Sequence, residues 1–120
     1  MVAELGGDLQ ARLQAIAASL PAHTRLLAVS KGQSAEAIRQ AVALGQRSFA
    51  ESRLQEALAK QAQLADLGPL DWHFIGRLQA NKVRPVLRAF AAVQSVDSLD
   101  LARRISRIAS EEGLQPSLHA

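Results

Sequence analysis

The chain has 120 residues, 48% of them hydrophobic and 21% charged, with a net charge of +3. That length and balance fit one domain with a real core and exclude a disordered chain. With no cysteine there is no disulfide framework and no thiolate metal site, which fits a reducing compartment. No apolar run approaches the ~20 residues of a membrane span. Met1 to Asp8 lacks a basic stretch followed by an apolar one, so no secretory leader is expected and the expected location is the cytoplasm.

Asp8 is placed to cap a first helix over 8–20, whose apolar stripe is Leu9, Leu13, Ile16 and Leu20. Pro21 stops it. Leu26 to Ser30 is too short for a helix and does not alternate, so it reads as a fully buried strand. Lys31 stands at its end. Ser34 can cap a second helix carrying Ala35, Ile38, Ala41 and Val42, with Gly45 placed to end it. Arg47 to Ala50 is a second short strand. Leu54, Ala57, Leu58, Ala62 and Ala65 form the stripe of a third helix, ended by Gly68-Pro69.

Asp71 to Ile75 is a third strand, closed by Gly76. Pro85 is tolerated only near a helix start, so the next helix begins around Asn81, with Val83, Val86 and Leu87 inward. Ala91 to Ser95 is a fourth strand. Asp97 can cap a helix with Leu101, Ile105, Ile108 and Ala109, closed by Gly113. Gln115 to Ala120 begins a fifth strand.

Strand–helix units therefore recur every ~20–25 residues with short connections, which argues for a parallel sheet with right-handed crossovers. Two architectures fit: an open doubly wound sheet, or about half of a (β/α)₈ barrel, which in full takes ~250 residues. Lys31-Gly32-Gln33-Ser34 is not a glycine-rich phosphate fingerprint, which counts against dinucleotide binding.

In parallel α/β folds the carboxyl ends of the strands form the active face. Those ends carry Ser30 and Lys31, then Glu51 and Ser52, then His73 and Arg77, then Ser95 and Asp97. Lys31 is the sharpest candidate. A lysine made neutral in an apolar strand end attacks carbonyls, which points to Schiff-base chemistry with a substrate or with pyridoxal phosphate. The plain alternative is a lysine that snorkels to solvent.

His73, Trp72 and Phe74 read as core. Glu51 and Glu56, five apart, do not by themselves make a paired-carboxylate site. No histidine or carboxylate pair has metal-ligand spacing. The basic residues of the second half, from Arg77 to Arg107, read as solvated helix faces. With 3% aromatic residues and no recognition motif, nucleic-acid binding is not expected.

Four segments carry a resemblance. They are Leu27-Ala28-Val29-Ser30-Lys31, the stretch from Gly45 through Phe49-Ala50-Glu51-Ser52 to Glu56, the run from Trp72 to Lys82, and Ser95-Val96-Asp97. Together, and in this order, they resemble the pyridoxal phosphate homeostasis (YggS-like) family from about Leu26 to Ala120. The resemblance implies a single-domain TIM-type barrel like the alanine racemase N-terminal domain, here truncated to about half. It implies pyridoxal 5′-phosphate held as an aldimine on Lys31, with Ser52, His73 and Ser95 lining the cofactor. It also implies a role in buffering and delivering the cofactor to apoenzymes, without established turnover.

Three features depart from the family pattern. Ser52 stands where an asparagine is usual, Arg53 where a tyrosine is usual, and Arg77 where a histidine often follows the glycine. The loops after strands seven and eight, which hold the phosphate in this fold, lie beyond Ala120. The resemblance leaves two alternatives: a racemase-like enzyme, or an inactive fragment lacking the phosphate site. A half-barrel also leaves open strand edges, so a homodimer through those edges is expected.

Overall fold

A computed structural model describes residues 2–4, 15, 26–94 and 96–119. The helix expected over 8–20 lies outside the described residues except for Ala15, which is helical. Among the described residues the strands are β1 (Val2–Glu4), β2 (Leu27–Val29), β3 (Ser48–Glu51), β4 (Asp71–Phe74), β5 (Ala92–Val93) and β6 (Ser117–Leu118). The helices are α1 (Ala35–Ala43), α2 (Leu54–Gln63), α3 (Val83–Ala89) and α4 (Leu99–Glu112). None of the described helices is long and apolar enough to cross a membrane.

All strand pairs are parallel, and the strands lie side by side in chain order from β1 to β6. This order decides between the two architectures. Right-handed crossovers that always step in one direction leave every helix on the same face, so the sheet curls as a barrel wall does. A doubly wound sheet reverses direction and has helices on both faces. The fold is therefore the barrel type. β1 is a strand that the sequence does not reveal. It pairs with β2 through Val2↔Leu27 and Glu4↔Val29 and so covers the edge that β2 would otherwise leave open.

Strand alternation separates two faces. Ala28, Phe49, Trp72, Phe74 and Val93 point to the helices and form the core with Ile38, Ala41, Ala57, Val83, Val86, Leu87, Ile105, Ile108 and Ala109. Phe49 and Trp72 lie with ring centroids 5.7 Å apart, and Phe74 meets Phe90 edge-on at 5.2 Å. The reading of Trp72 and Phe74 as packing residues agrees with these contacts. The opposite face carries Ser48, Asp71, His73 and Gln94, whose side chains bond to one another in a row.

Local chemistry sets the helix ends. Ser34 Oγ accepts the Ala37 N–H at the start of α1. The cap of α4 is Ser98, which accepts from Leu101 N–H, and not the expected Asp97. Both can cap in principle, but the hydroxyl one residue later stands at the N-cap position with extended backbone. Gly113 ends α4 with φ +68°, a left-handed conformation that favours glycine. Pro85 sits in the first turn of α3, and a short 3₁₀ turn, Ala80–Lys82, leads into it.

Candidate functional site

Lys31 is exposed and stands two residues past the last residue of β2, at its carboxyl end. The residue before it is fully buried. Ser30 N–H continues the ladder to Ala50 O at 2.9 Å, and the Ser30 hydroxyl turns toward the helices, donating to the Glu51 carboxylate. Register explains this geometry. Ala28 pairs with Phe49, and Glu51 pairs with Phe74, so Ser30 and Glu51 share the helix-facing side.

Beneath them lies a buried charged cluster. Lys60 of α2 sends its ammonium to Ser30 O at 2.7 Å, to Glu51 Oε1 at 3.1 Å and to Glu51 Oε2 at 3.0 Å. Glu56 Oε1 lies 2.9 Å from the same nitrogen. The Glu51 side chain is 0% exposed and that of Lys60 7%. Charges this deep persist only when paired and hydrogen-bonded, and no described buried side-chain polar atom lacks a partner. Glu56 also accepts the Gly32 N–H at 2.6 Å. Lys60 first, and the Gly32 N–H second, hold the Glu56 carboxyl below its ordinary range.

Lys31 is thus held by its neighbours. Lys60 fixes the carbonyl before it, and Glu56 fixes the amide after it. Glu51 and Glu56, five apart, gave no paired-carboxylate pattern in sequence, and the structure brings both carboxylates to the Lys60 ammonium. The visible clue is Glu56 and Lys60 four apart on one helix. Glu51 was visible as a strand-end residue, but its pairing with Lys60 was not, because that partner sits across a strand–helix interface. It faces the helices and is enclosed by Ser30 and Lys60, so it is a support and not an open strand-end group.

Lys31, Gly32, Ser52, Arg53 and Glu56 line a cleft of about 260 Å³. The structure therefore brings Lys31 and Ser52 together. Ser52 is positioned by a close backbone approach: a Cβ at Gly76 would collide with the Ser52 carbonyl oxygen. That position therefore needs a glycine for space, independent of φ.

His73 lies elsewhere. It pairs with Ala50 and sits on the face away from the helices. The expectation of a histidine among apolar neighbours is corrected: Nε2 is 2.8 Å from Asp71 Oδ2, and Nδ1 is 3.2 Å from Gln94 Nε2. The Asp71 carboxylate also accepts from Ser48, so one carboxylate ties His73 to β3 while Gln94 stands at the other ring nitrogen. Ser95 lies outside the described residues.

The model of the "Alanine racemase, N-terminal domain" family matches residues 7–119. The chain is similar to the pyridoxal phosphate homeostasis protein of Pseudomonas aeruginosa, 58% identical over 86 residues, covering 72% of this chain and 37% of that protein. The protein of the same name in Synechocystis is 49% identical over 96 residues, covering 80% of this chain and 44% of the other. The solved structure of PipY from Synechococcus elongatus with PLP bound superposes with a TM-score of 0.88 at 50% identity, covering 91% of this chain and 51% of that one. The chain thus spans less than half the length of these curated relatives and about half of the PipY structure.

Proposed function

Because the chain belongs to the alanine racemase N-terminal domain family, we propose that it forms the lysine-bearing part of a pyridoxal phosphate homeostasis protein, a partial barrel that binds the cofactor through Lys31. The supporting observation is the cleft itself. An exposed amine stands at the carboxyl end of a barrel strand, with its backbone held on both sides by Lys60 and Glu56. The relatives' names and the PLP-bound PipY structure support the choice of ligand.

The residues present fit the group. The chemistry it supplies is an aldehyde carbon open to an amine. Lys31 provides that amine, Ser52 a hydroxyl and Arg53 a positive charge, in a cleft of about 260 Å³. The buried cluster anchors the backbone on both sides of Lys31, so the fold fixes where its side chain leaves the strand end. His73 and Ser95 belong to the proposal as further lining groups. His73 would act through its ring or through the Gln94 amide beside its Nδ1.

The role is binding, buffering and delivery in the cytoplasm to enzymes that need the cofactor, without turnover of its own. Self-association belongs to the same reading. β1 covers the β2 edge, but β6 presents an exposed outer edge at Ser117 and Leu118 that a second copy would pair with. Sedimentation should show a dimer, and a compact monomer at every concentration contradicts that part.

The test is a titration with pyridoxal phosphate followed by absorbance. The parent should develop a saturable band of lysine-bound cofactor, and Lys31→Ala should not. Equal bands in both contradict the reading. Incubating the loaded protein with L-alanine and finding D-alanine would contradict the claim of binding without turnover.

A further inference from the structure

We propose that a second cavity, beside the Lys31 cleft, is a site for a phosphate monoester carried on a small apolar body. It lies between the start of α2 and the loop after β4, with a volume of about 250 Å³. Arg53, Arg77 and Lys82 stand around it, and Phe74, Leu78 and Val86 form its floor. The three cations are exposed and the three apolar residues buried. No carboxylate lines it.

The charges are the first argument. Among the described residues, Arg53, Arg77 and Lys82 make no ion pair and no side-chain hydrogen bond. The arginines on neighbouring elements do find partners. Arg39 bonds Asp66 at 2.7 and 3.0 Å. Arg84 and Arg88 bond Glu111 and Glu112, and Arg47 donates to the carbonyls of Leu67 and Pro69. The Glu56 carboxylate feels Arg53 only weakly beside its other partners, since it is bonded to Lys60 and the Gly32 N–H. Three like charges around one space, with no carboxylate in its lining, attract an anion. By contrast, the other basic cleft, along α4, has the carboxylate of Asp100 in its wall beside Arg103, Arg104 and Arg107.

The second argument is the match of chemistry. A guanidinium presents its N–H groups as a fork that fits phosphate oxygens, and an ammonium adds a point charge. A phosphate monoester carries close to two negative charges at neutral pH, against one for a carboxylate. The apolar floor gives the ester's carbon body a surface to cover. Ser52 and Arg53 line both cavities, so the second site shares a wall with the Lys31 cleft without including Lys31.

Phenyl phosphate is the probe, titrated calorimetrically into Lys31→Ala so that capture by that amine plays no part. Saturable one-to-one binding is expected, weakened about tenfold or more in Arg77→Ala/Lys82→Ala through loss of charge-assisted contacts. Benzoate should bind clearly more weakly. Arg77→Gln and Arg53→Gln, which keep side-chain bulk at these exposed positions, should each weaken binding as well. Absence of saturable binding, indifference to all these substitutions, or benzoate binding as tightly as phenyl phosphate overturns the proposal. The outcome is separable from that of the pyridoxal phosphate reading: failure of the parent to capture the cofactor on Lys31 leaves the phenyl phosphate result standing, and the reverse also holds.

Discussion

Replacing Lys60 by methionine tests the buried cluster most sharply. Methionine keeps much of the lysine stem's volume and removes the ammonium. Glu51, with its side chain at 0% exposure, then retains only the Ser30 hydroxyl as a donor. Breaking a buried pair by removing one partner costs about 3–5 kcal/mol, because an uncompensated charge is left behind. A domain of this size has a total stability of roughly 6–18 kcal/mol, so the loss is a large share. The exposed Arg39–Asp66 pair has similar distances but stands in solvent, and its loss is expected to be much the smaller effect.

Urea unfolding of the parent, Lys60→Met, Glu51→Gln and the double variant completes the cycle. The double variant should be more stable than the sum of the single losses implies, by roughly 2 kcal/mol. Lys60→Met should also slow capture of pyridoxal phosphate at Lys31, because the Ser30 carbonyl loses its anchor. A cost for Lys60→Met below about 1 kcal/mol, in the range of exposed pairs, or strict additivity in the cycle, would refute the reasoning.

Gly76→Ala should destabilise the fold and weaken pyridoxal phosphate binding together, since the new Cβ meets the Ser52 carbonyl; overpacking of this kind costs about 1–3 kcal/mol, readable by thermal unfolding. Glu56 sets an acid limit. Its carboxyl is held below the ordinary glutamate range by Lys60 first and the Gly32 N–H second, so its contribution is present above that range and is lost as pH falls through the lower folded-state value. Unfolding midpoints measured from neutral pH downward should therefore drop below about pH 4.5 in the parent, and by less in Glu56→Gln. Ser98→Ala removes the hydroxyl that accepts the Leu101 N–H and should cost about 1 kcal/mol of stability, whereas Asp97→Ala should cost less in the same assay.

The fold was largely legible because its units are short and punctuated. Ser34, Gly45, Gly76 and Gly113 mark boundaries that the chain obeys within a residue or two, whereas α2 ends at Gln63, and a 3₁₀ turn, Ala65–Leu67, fills the span that the sequence assigned to the helix before Gly68-Pro69. The strand Val2–Glu4 was not legible. Three residues carry no periodicity, and the pairing that defines them is made with a segment more than twenty residues away. The site was half legible. Lys31 and Ser52 stand at strand ends, where the fold makes such positions visible. The partners of Glu51 were hidden, because a strand residue's contact with a helix depends on register and crossing geometry rather than on spacing. His73 was read as core from its neighbours Trp72 and Phe74. Alternation puts those two on the other side of the sheet and leaves His73 among polar groups. Arg53, which appeared in sequence only as a departure from a pattern, and Arg77, read there as a strand-end and helix-face charge, line one cavity with Lys82.

The central claim is that Lys31 is the residue that captures the cofactor. Its most direct test is to treat the protein with pyridoxal phosphate, reduce with borohydride, digest, and locate the label by mass spectrometry. One dominant labelled peptide containing Lys31 is expected, with Lys60 and Lys82 unlabelled at stoichiometric cofactor. Label spread evenly over the exposed lysines, or an undiminished yield in Lys31→Ala, would contradict it.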